Sequence, residues 1–280
     1  MPLKVPSALC CMNETVKYRR GGAFLEREKR REREWNENQL EGRNAVLEVL
    51  RSGRDIEKIM VQKGNVEGPI KRIVAQAAEK GVVIQEVSRQ KLDELSQTKN
   101  HQGVIALVSA HDYVEVEDIL AAARAKGEDP FIILLDGITD PHNLGAILRT
   151  AECAGAHGVI IPKRRSVGLN ATVGKTSAGA IEYMPVAKVT NLVKTMEQLK
   201  KEGLWFACAD MGENDHFDTN LKGPIGLVIG SEGEGVSRLV KENCDFTASI
   251  PMYGKISSLN ASVAAALLMY EVVRQRNYSK

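Results

Sequence analysis

The 280-residue chain has no apolar run of the roughly 18 residues that a helix needs to cross a bilayer. Its first residues lack the apolar core of a secretory signal, so we expect a cytoplasmic protein. Its five cysteines are an odd number at scattered positions that fit no zinc spacing, which favours reduced thiols. The sequence therefore predicts neither a membrane segment nor a bound metal.

Net charge is also small, at +2, and by itself it indicates no particular partner. The charge is unevenly distributed, because Lys17–Arg33 holds eight Lys/Arg against three Glu. Such a run can neutralise phosphates without making the whole protein basic. We interpret residues 1–39 as a basic extension. It is a solvated helix, a flexible tail that orders on RNA, or a tail without a specific role.

The remaining composition, with 43% hydrophobic and 26% charged residues, is typical of a soluble globular protein. Alternating helix and strand patterns predict a small α/β domain over residues 40–110. Residues 111–129 are predicted to be a linker with a short helix. Residues 130–280 are predicted to form a second α/β domain, because Phe131 begins a continuous apolar run typical of a strand buried on both faces.

The second domain is expected to have a mostly parallel sheet with helices between the strands. The predicted strands after the first are Gly158–Ile161, Glu182–Val186, Leu204–Ala209, Gly226–Ile229 and Phe246–Ile250.

Three segments of this domain join a strand pattern to a helix pattern through loops rich in Gly, Pro, Asn or Ser. They are Asp136–Ala151, Gly226–Gly235 and Ile250–Ala264. Loops at the carboxyl ends of strands are where open α/β sheets bind ligands. We therefore expect the three loops to build one site.

In the first loop, Asn143 can cap the helix predicted over Leu144–Ala154. Arg149 falls opposite the apolar face of that helix, a position typical of a solvated side chain. In the third loop, Ser258 or Asn260 is a natural N-cap for the last apolar helix.

The second loop has the spacing G-x-x-G-x-G from Gly230, which differs from the dinucleotide fingerprint G-x-G-x-x-G. It is a ligand-binding loop or a plain tight turn. Glu232 within it can cap neighbouring amides or pair with an arginine. A further basic segment, with Lys163, Arg164 and Arg165, is a phosphate-binding rim or an ordinary exposed loop.

In order, spacing and content, the three segments resemble the SpoU family of RNA ribose 2′-O-methyltransferases. The resemblance runs from about Glu41 to Arg276 and is closest to bacterial enzymes that methylate a guanosine of 23S ribosomal RNA. It implies a trefoil-knotted α/β methyltransferase domain and a small N-terminal RNA-binding domain. It also implies S-adenosyl-L-methionine as cofactor, RNA as substrate, no metal, and a homodimer.

The resemblance also implies roles for individual residues. Arg149 matches the motif arginine beside the target ribose and phosphate, Asn143 the asparagine that supports it, and Glu232 the motif glutamate. The residues implied to hold the cofactor are Gly230, Ile250, Ser258, Leu259 and Asn260. Those implied to contact RNA are Arg149, Lys163, Arg164 and Arg165.

Three other functions stay open from the sequence. A tRNA methyltransferase of the same family would share every motif, although the small N-terminal domain favours ribosomal RNA. A non-catalytic RNA-binding protein of ribosome assembly would need no motif residues, yet all are present. A dinucleotide-dependent α/β enzyme is disfavoured by the late position and the spacing of the glycine loop.

Overall fold

The computed structural model describes residues 38–278, apart from residues 53, 65–67 and 213–214. The predicted basic extension therefore lies outside the described residues, except for Asn38 and Gln39. Contacts group Glu37–Lys280 into one compact unit. This unit contains a four-stranded sheet and a six-stranded sheet.

The four-stranded sheet is built by the first part of the described chain. Its strands are β1 (Gln39–Glu41), β2 (Ile56–Gln62), β3 (Ile84–Val87) and β4 (Val104–Val108). Its helices are α1 (Arg43–Ser52), α2 (Pro69–Glu79) and α3 (Arg89–Leu95). The strand order is β1-β4-β2-β3, in which only β2 and β3 are parallel. Apolar residues of α1 and α2, including Val46, Leu50 and Ile70, pack on β2 and β4 in one core.

The six-stranded sheet follows a connecting helix, α4 (Val116–Lys126). Its strands are β5 (Phe131–Asp136), β6 (Gly158–Pro162), β7 (Val186–Val189), β8 (Trp205–Ala209), β9 (Ile225–Gly230) and β10 (Phe246–Ala248). Its helices are α5 (Pro141–Cys153), α6 (Ala171–Thr176), α7 (Leu192–Lys201), α8 (Arg238–Glu242) and α9 (Ala261–Tyr278).

The strand order of this sheet is β10-β8-β9-β5-β6-β7, and every neighbouring pair is parallel. Side chains of the central strand β5 alternate between two cores. Phe131, Ile133 and Leu135 pack with α5 and α9, whereas Ile132 and Leu134 pack with α4 and α7. A strand buried on both faces needs apolar residues at every position, which explains the continuous apolar run. The predicted parallel sheet is confirmed.

One predicted strand, Glu182–Val186, is wrong. Ala180–Glu182 forms a short 3-10 helix after Gly179, whose φ of 87° is in the left-handed region that favours glycine. The strand begins only at Val186, after Pro185, and runs to Val189. The predicted strand and the observed strand share only Val186, because the residues before it form the 3-10 helix and the turn that follows.

Candidate functional site

All six parallel strands end at the same edge of the large sheet, and a cavity of about 380 Å³ lies there. It is lined by residues that follow β8, β9 and β10 together with the start of α9. The lining residues are 209–211, 229–235, 248–250, 252, 257–259, 261 and 264. The second and third motif loops thus surround one cavity.

Four of the five residues that the resemblance assigns to the cofactor line this cavity: Gly230, Ile250, Ser258 and Leu259. The fifth, Asn260, lies next to it and hydrogen-bonds to the other motif loops.

Three motif side chains, one from each loop, meet in a hydrogen-bonded cluster, the Asn143–Glu232–Asn260 cluster. The Asn143 side-chain amide donates to Glu232 Oε1 at 3.0 Å, and Asn260 Nδ2 donates to the same oxygen. Asn260 Nδ2 also donates to Asn143 Oδ1 at 3.0 Å. Asn143 is buried, so each lost bond would leave a polar group without solvent. The cluster therefore fixes the three loops relative to one another.

The predicted helix cap at Asn143 is wrong. Helix α5 begins earlier, with Pro141 in its first turn, and Asp140 is the N-cap, accepting a hydrogen bond from the backbone N–H of His142 at 2.9 Å. Proline fits there because its missing N–H would have no helical partner. Since Asp140 caps the helix, the amide of Asn143 is available for Glu232 and Asn260.

The side-chain amide of Asn260 uses both its oxygen and its nitrogen in hydrogen bonds. Its Oδ1 accepts from the backbone N–H of Ser262 at 3.0 Å and from the Ser262 hydroxyl at 2.6 Å, which caps the start of α9. Its Nδ2 belongs to the Asn143–Glu232–Asn260 cluster. Of the two caps that the sequence left open, the structure uses Asn260.

The glycine loop is closed on itself at the end of β9. Ser231 and Gly235 exchange backbone hydrogen bonds of 3.1 and 3.0 Å. A Cβ on Gly230 would lie 2.1 Å from the Gly235 carbonyl carbon, so this position cannot carry a side chain. A Cβ on Gly233 would meet nothing within 4 Å. The loop also connects to β5, because Ser237 N donates to Asp136 Oδ2 at 2.8 Å.

The cavity has an acidic lining, of which the sequence motifs predict only Glu232. Asp210, Glu232 and Glu234 line it, and no Lys, Arg or His is among its described lining residues. Asp210 pairs with Lys241, whose Nζ lies 2.5 Å from Oδ2. Asp210 directly follows β8, so its place at the carboxyl edge was a usable signal in the sequence. The surplus of carboxylates favours a ligand that carries positive charge.

Arg149 is exposed on α5, away from the buried face, as the helical pattern predicts. It lies six residues beyond Asn143, about 9 Å along the helix axis. No hydrogen bond or ion pair within the described part of the chain engages its guanidinium. Arg149 is therefore free to contact a ligand outside the protein surface.

The three basic residues after β6 differ in their surroundings. Lys163 is half-buried and lines a second cavity, between the two sheets. Arg164 and Arg165 are exposed and do not line it. The structure thus separates Lys163 from its two neighbours, whereas the sequence treated them as one rim.

Among the described residues, no cluster of three or more His, Cys, Asp or Glu could hold a metal ion. Within the same residues, no helix is both long and apolar enough to span a membrane.

Two family models match the chain. The model of the SpoU rRNA methylase family matches residues 130–270. The model described as RNA 2′-O ribose methyltransferase substrate binding matches residues 39–114. Together they cover both sheets.

Curated relatives match over most of their length. A putative TrmH family tRNA/rRNA methyltransferase of Bacillus subtilis is 52% identical over 84% of this chain and 95% of its own. One from Staphylococcus saprophyticus is 48% identical over 85% of this chain and 95% of its own.

Solved structures share the fold. The SpoU methyltransferase AviRb of Streptomyces viridochromogenes has a TM-score of 0.54 at 25% identity, over 85% of this chain and 89% of its own. An AdoMet-bound rRNA methyltransferase of Sinorhizobium meliloti has a TM-score of 0.54 at 22% identity, over 86% and 88%. The predicted fold class, a mostly parallel α/β sheet with a small N-terminal domain, is confirmed.

Proposed function

Because the chain belongs to the SpoU family of RNA methylases, we propose that it transfers a methyl group from S-adenosyl-L-methionine to a ribose 2′-hydroxyl of 23S ribosomal RNA. The proposed target nucleotide is a guanosine. The coarser activity, RNA 2′-O-ribose methylation, follows from the family. The observation that carries the proposal is the Asn143–Glu232–Asn260 cluster, which joins all three motif loops beside one acidic cavity.

The cavity fits the proposed cofactor in chemistry. Ile229, Ile250 and Leu259 give apolar surface for a purine, while Ser231 and Ser258 give hydroxyl groups for polar edges. The carboxylates of the lining suit a ligand with net positive charge. When bound, S-adenosyl-L-methionine supplies an electrophilic methyl group on a sulfonium cation.

Arg149 is proposed to act as a cation. A guanidinium stays protonated in proteins, so it donates hydrogen bonds and does not serve as a base. Its exposure on α5 lets it bind an RNA phosphate and stabilise the negative charge that develops on the 2′-oxygen. Asn143, on the same helix, holds the α5 end of the site against Glu232.

Glu232 is proposed to accept the proton of the 2′-hydroxyl. Its Oε1 receives both asparagine amides, which holds the carboxylate in place. Its Oε2 has no hydrogen-bond partner among the described residues. An oriented acceptor of this kind is what general-base catalysis requires.

The choice of ribosomal RNA rests on the small four-stranded unit, which matches the substrate-binding model over residues 39–114. The Bacillus subtilis relative is named as a tRNA/rRNA methyltransferase, so a tRNA substrate is the alternative outcome of the test. We propose the cytoplasm as the place of the reaction.

We also propose a homodimer, with α9 at the interface. Val263, Leu267 and Tyr270 recur at helical spacing on one face and are 46%, 45% and 52% exposed. Exposed apolar side chains on one helix face are typical of subunit interfaces.

The test is methyl transfer from labelled S-adenosyl-L-methionine to unmodified transcripts of 23S ribosomal RNA and of tRNA. Mapping by sequencing sensitive to ribose methylation then locates the product. One methylated ribose in 23S RNA supports the proposal, whereas transfer to tRNA alone overturns the substrate. If neither RNA is methylated although the cofactor binds, the result favours a non-catalytic protein of ribosome assembly. Thermal stabilisation by S-adenosyl-L-methionine but not by NAD excludes the dinucleotide enzyme.

A further inference from the structure

A second cavity, of about 280 Å³, lies between the four-stranded and the six-stranded sheet. We call it the intersheet cleft. From the small unit it is lined by Arg54, Glu57 and Lys80, and from the large unit by Lys163 and Lys188. Tyr113, in the segment that connects the two units, also lines it. The side of the cleft that the small unit contributes lies within residues 39–114, which the substrate-binding model matches.

The floor of the intersheet cleft is a partly buried hydrogen-bonded cluster around Glu57. Its carboxylate accepts from the Tyr113 hydroxyl, from Lys188 Nζ and, at 3.2 Å, from Leu169 N. A Cβ on Gly168 would lie 1.9 Å from Glu57 Oε2, so a side chain there would displace the Glu57 carboxylate. Burial and the Glu57 carboxylate raise the pKa of Tyr113, which keeps its hydroxyl a donor. These contacts set the cleft's shape before any ligand binds.

The connecting segment adds backbone bonds on both sides of this floor. Ser109 N donates to the Asp55 carbonyl at 2.8 Å, and Ala110 N donates to the Leu169 carbonyl at 2.8 Å. Val114 N donates to the Val186 carbonyl at 2.9 Å. The two walls of the cleft are therefore connected by main chain as well as by side chains.

Two of the three carboxylates of the cleft are engaged within the protein. Glu57 has the three donors given above, and Asp55 accepts from Tyr113 N at 3.4 Å, whereas Glu115 uses its backbone N–H to donate to Asp118 at 3.1 Å. Lys188 is neutralised by Glu57. Hydrogen bonds leave the carboxylates charged, so the cleft lining holds four basic side chains against three acidic ones, a surplus of one cation.

Two cations of the cleft, Lys80 and Lys163, have no partner among the described residues. They stand on opposite walls, Lys80 after α2 and Lys163 after β6. Arg54 makes a single long bond, 3.5 Å from its NH2 to the Ser109 carbonyl. A preformed cleft with unpaired cations on both walls suits an anion that lies between the walls.

The position of the cleft connects it to the candidate active site. Lys163 directly follows β6, so it lies at the same carboxyl edge of the sheet as the glycine loop after β9. Strand β6 is two places from β9, about 10 Å at the usual strand spacing. An RNA strand at one site can therefore reach the other.

We propose that the intersheet cleft binds backbone phosphates of the substrate RNA, with Lys80, Lys163 and Arg54 as the phosphate ligands. The assignment rests on the proposed function and extends it, because it adds Arg54 and Lys80 of the small unit to the RNA contacts and places Lys163 opposite them. It also gives the Glu57 floor a role, which is to hold the cations of the two units at a fixed separation.

The experiment compares the full chain with a Lys80→Gln/Lys163→Gln variant. Binding of a 23S ribosomal RNA transcript is measured by filter binding at several salt concentrations. Removing two phosphate contacts should lower the slope of log K against log salt by about 1.5 and weaken binding on the order of tenfold near physiological salt. In methyl-transfer assays the KM for RNA should rise with kcat nearly unchanged, and the affinity for S-adenosyl-L-methionine should stay the same.

A Lys126→Gln/Lys201→Gln variant is the matched control. Both lysines are exposed and lie at the ends of α4 and α7 that precede β5 and β8, at the opposite edge of the sheet. The control removes the same charge and should change neither slope nor KM by more than half the effect of the cleft variant. Equal effects of the two variants would show general electrostatics and overturn the cleft assignment.

The outcome for the cleft is separate from the outcome for the proposed reaction. If the unaltered chain binds RNA with the larger salt slope but methylates neither RNA, the proposed function fails and the cleft assignment stands. If it methylates RNA and the cleft variant has an unchanged slope and KM, the cleft assignment fails alone. Thermal unfolding of each variant checks that neither substitution has disturbed the fold.

Discussion

The side-chain amide of Asn143 donates a 3.0 Å hydrogen bond to Glu232, which lies 89 positions later in the chain. Asn143 is in the first turn of α5, and Glu232 is in the closed glycine loop after β9. Asn260, before α9, donates to both side chains. One carboxylate thus organises three loops that are distant in sequence, and substitutions at any of the three should be coupled.

We first predict a charge-dependent coupling between Asn143 and Glu232. Asn143→Asp places a second carboxylate against Glu232 at a buried position, so it should destabilise the fold more than Asn143→Ala, which should cost about 1–3 kcal/mol. Adding Glu232→Gln to Asn143→Asp restores one donor and one charged acceptor. Thermal unfolding of the four proteins in a double-mutant cycle measures the coupling. Additive effects would mean that the two side chains act independently.

The same cycle separates structure from catalysis. The Asn143→Asp/Glu232→Gln double variant should regain much of the thermal stability lost in Asn143→Asp. Its carboxylate, however, would be that of residue 143 on α5 and no longer that of residue 232 in the glycine loop. If Glu232 accepts the 2′-hydroxyl proton, methyl transfer should stay low in this stable protein. Recovery of both stability and activity would argue against Glu232 as the proton acceptor.

Two glycines of one loop should respond in opposite ways to alanine. Gly230→Ala brings a Cβ to 2.1 Å from backbone atoms of Gly235, so the loop must open and both stability and cofactor binding should fall. Gly233→Ala meets nothing within 4 Å, so the free energy of unfolding should change by no more than about 0.5 kcal/mol, as is usual for surface substitutions. Differential scanning fluorimetry with and without S-adenosyl-L-methionine makes the comparison. Equal melting temperatures of the two variants would contradict the close approach at Gly230.

Arg149 should matter for methyl transfer and not for folding. It is exposed and has no partner within the described part of the chain, so Arg149→Ala and Arg149→Lys should leave thermal stability unchanged. If its guanidinium stabilises the developing oxyanion, both should lower kcat by about 10²–10³-fold, with cofactor affinity retained. Single-turnover transfer to an RNA substrate measures this. Near-full turnover of the lysine variant would show that a positive charge at residue 149 is sufficient and that the planar guanidinium group is not required.

Much of the fold could be predicted from sequence because local signals were strong. The apolar run that starts at Phe131 forms a strand buried on both faces. The predicted motif loops follow parallel strands and therefore lie together at the carboxyl edge of the sheet. The cap at Asn143 was wrong because Asp140 offers an equivalent side chain before Pro141, and only the contact with Glu232 decides between them. Long-range pairs such as Glu57 with Lys188 have no local pattern, so the intersheet cleft could not be predicted.

Acid should selectively remove the contribution of Glu41 to stability. Burial raises the pKa of Glu41, but hydrogen bonds from Thr98, Ser96 and Gln97 outweigh it and lower the pKa from 4.5 to about 2. A lowered pKa in the folded state stabilises the fold above pH 4.5, and this stabilisation is lost as the pH falls from 4.5 towards 2. Denaturation of the unaltered protein and Glu41→Gln should therefore differ at pH 7 and converge in acid. A pH-independent difference would show that the charge of Glu41 is not the cause.

The exposed face of α9 supplies the last prediction. Leu267 lies at the middle of the apolar row formed with Val263 and Tyr270, so Leu267→Glu should place a charge in the proposed dimer interface. Light scattering after gel filtration should then find a monomer where the unaltered chain is a dimer. Trp205→Glu is the control, because Trp205 is 55% exposed at the opposite, amino end of β8. A dimer that survives Leu267→Glu would place the interface on another face, whereas an active monomer would show that one chain carries a complete site.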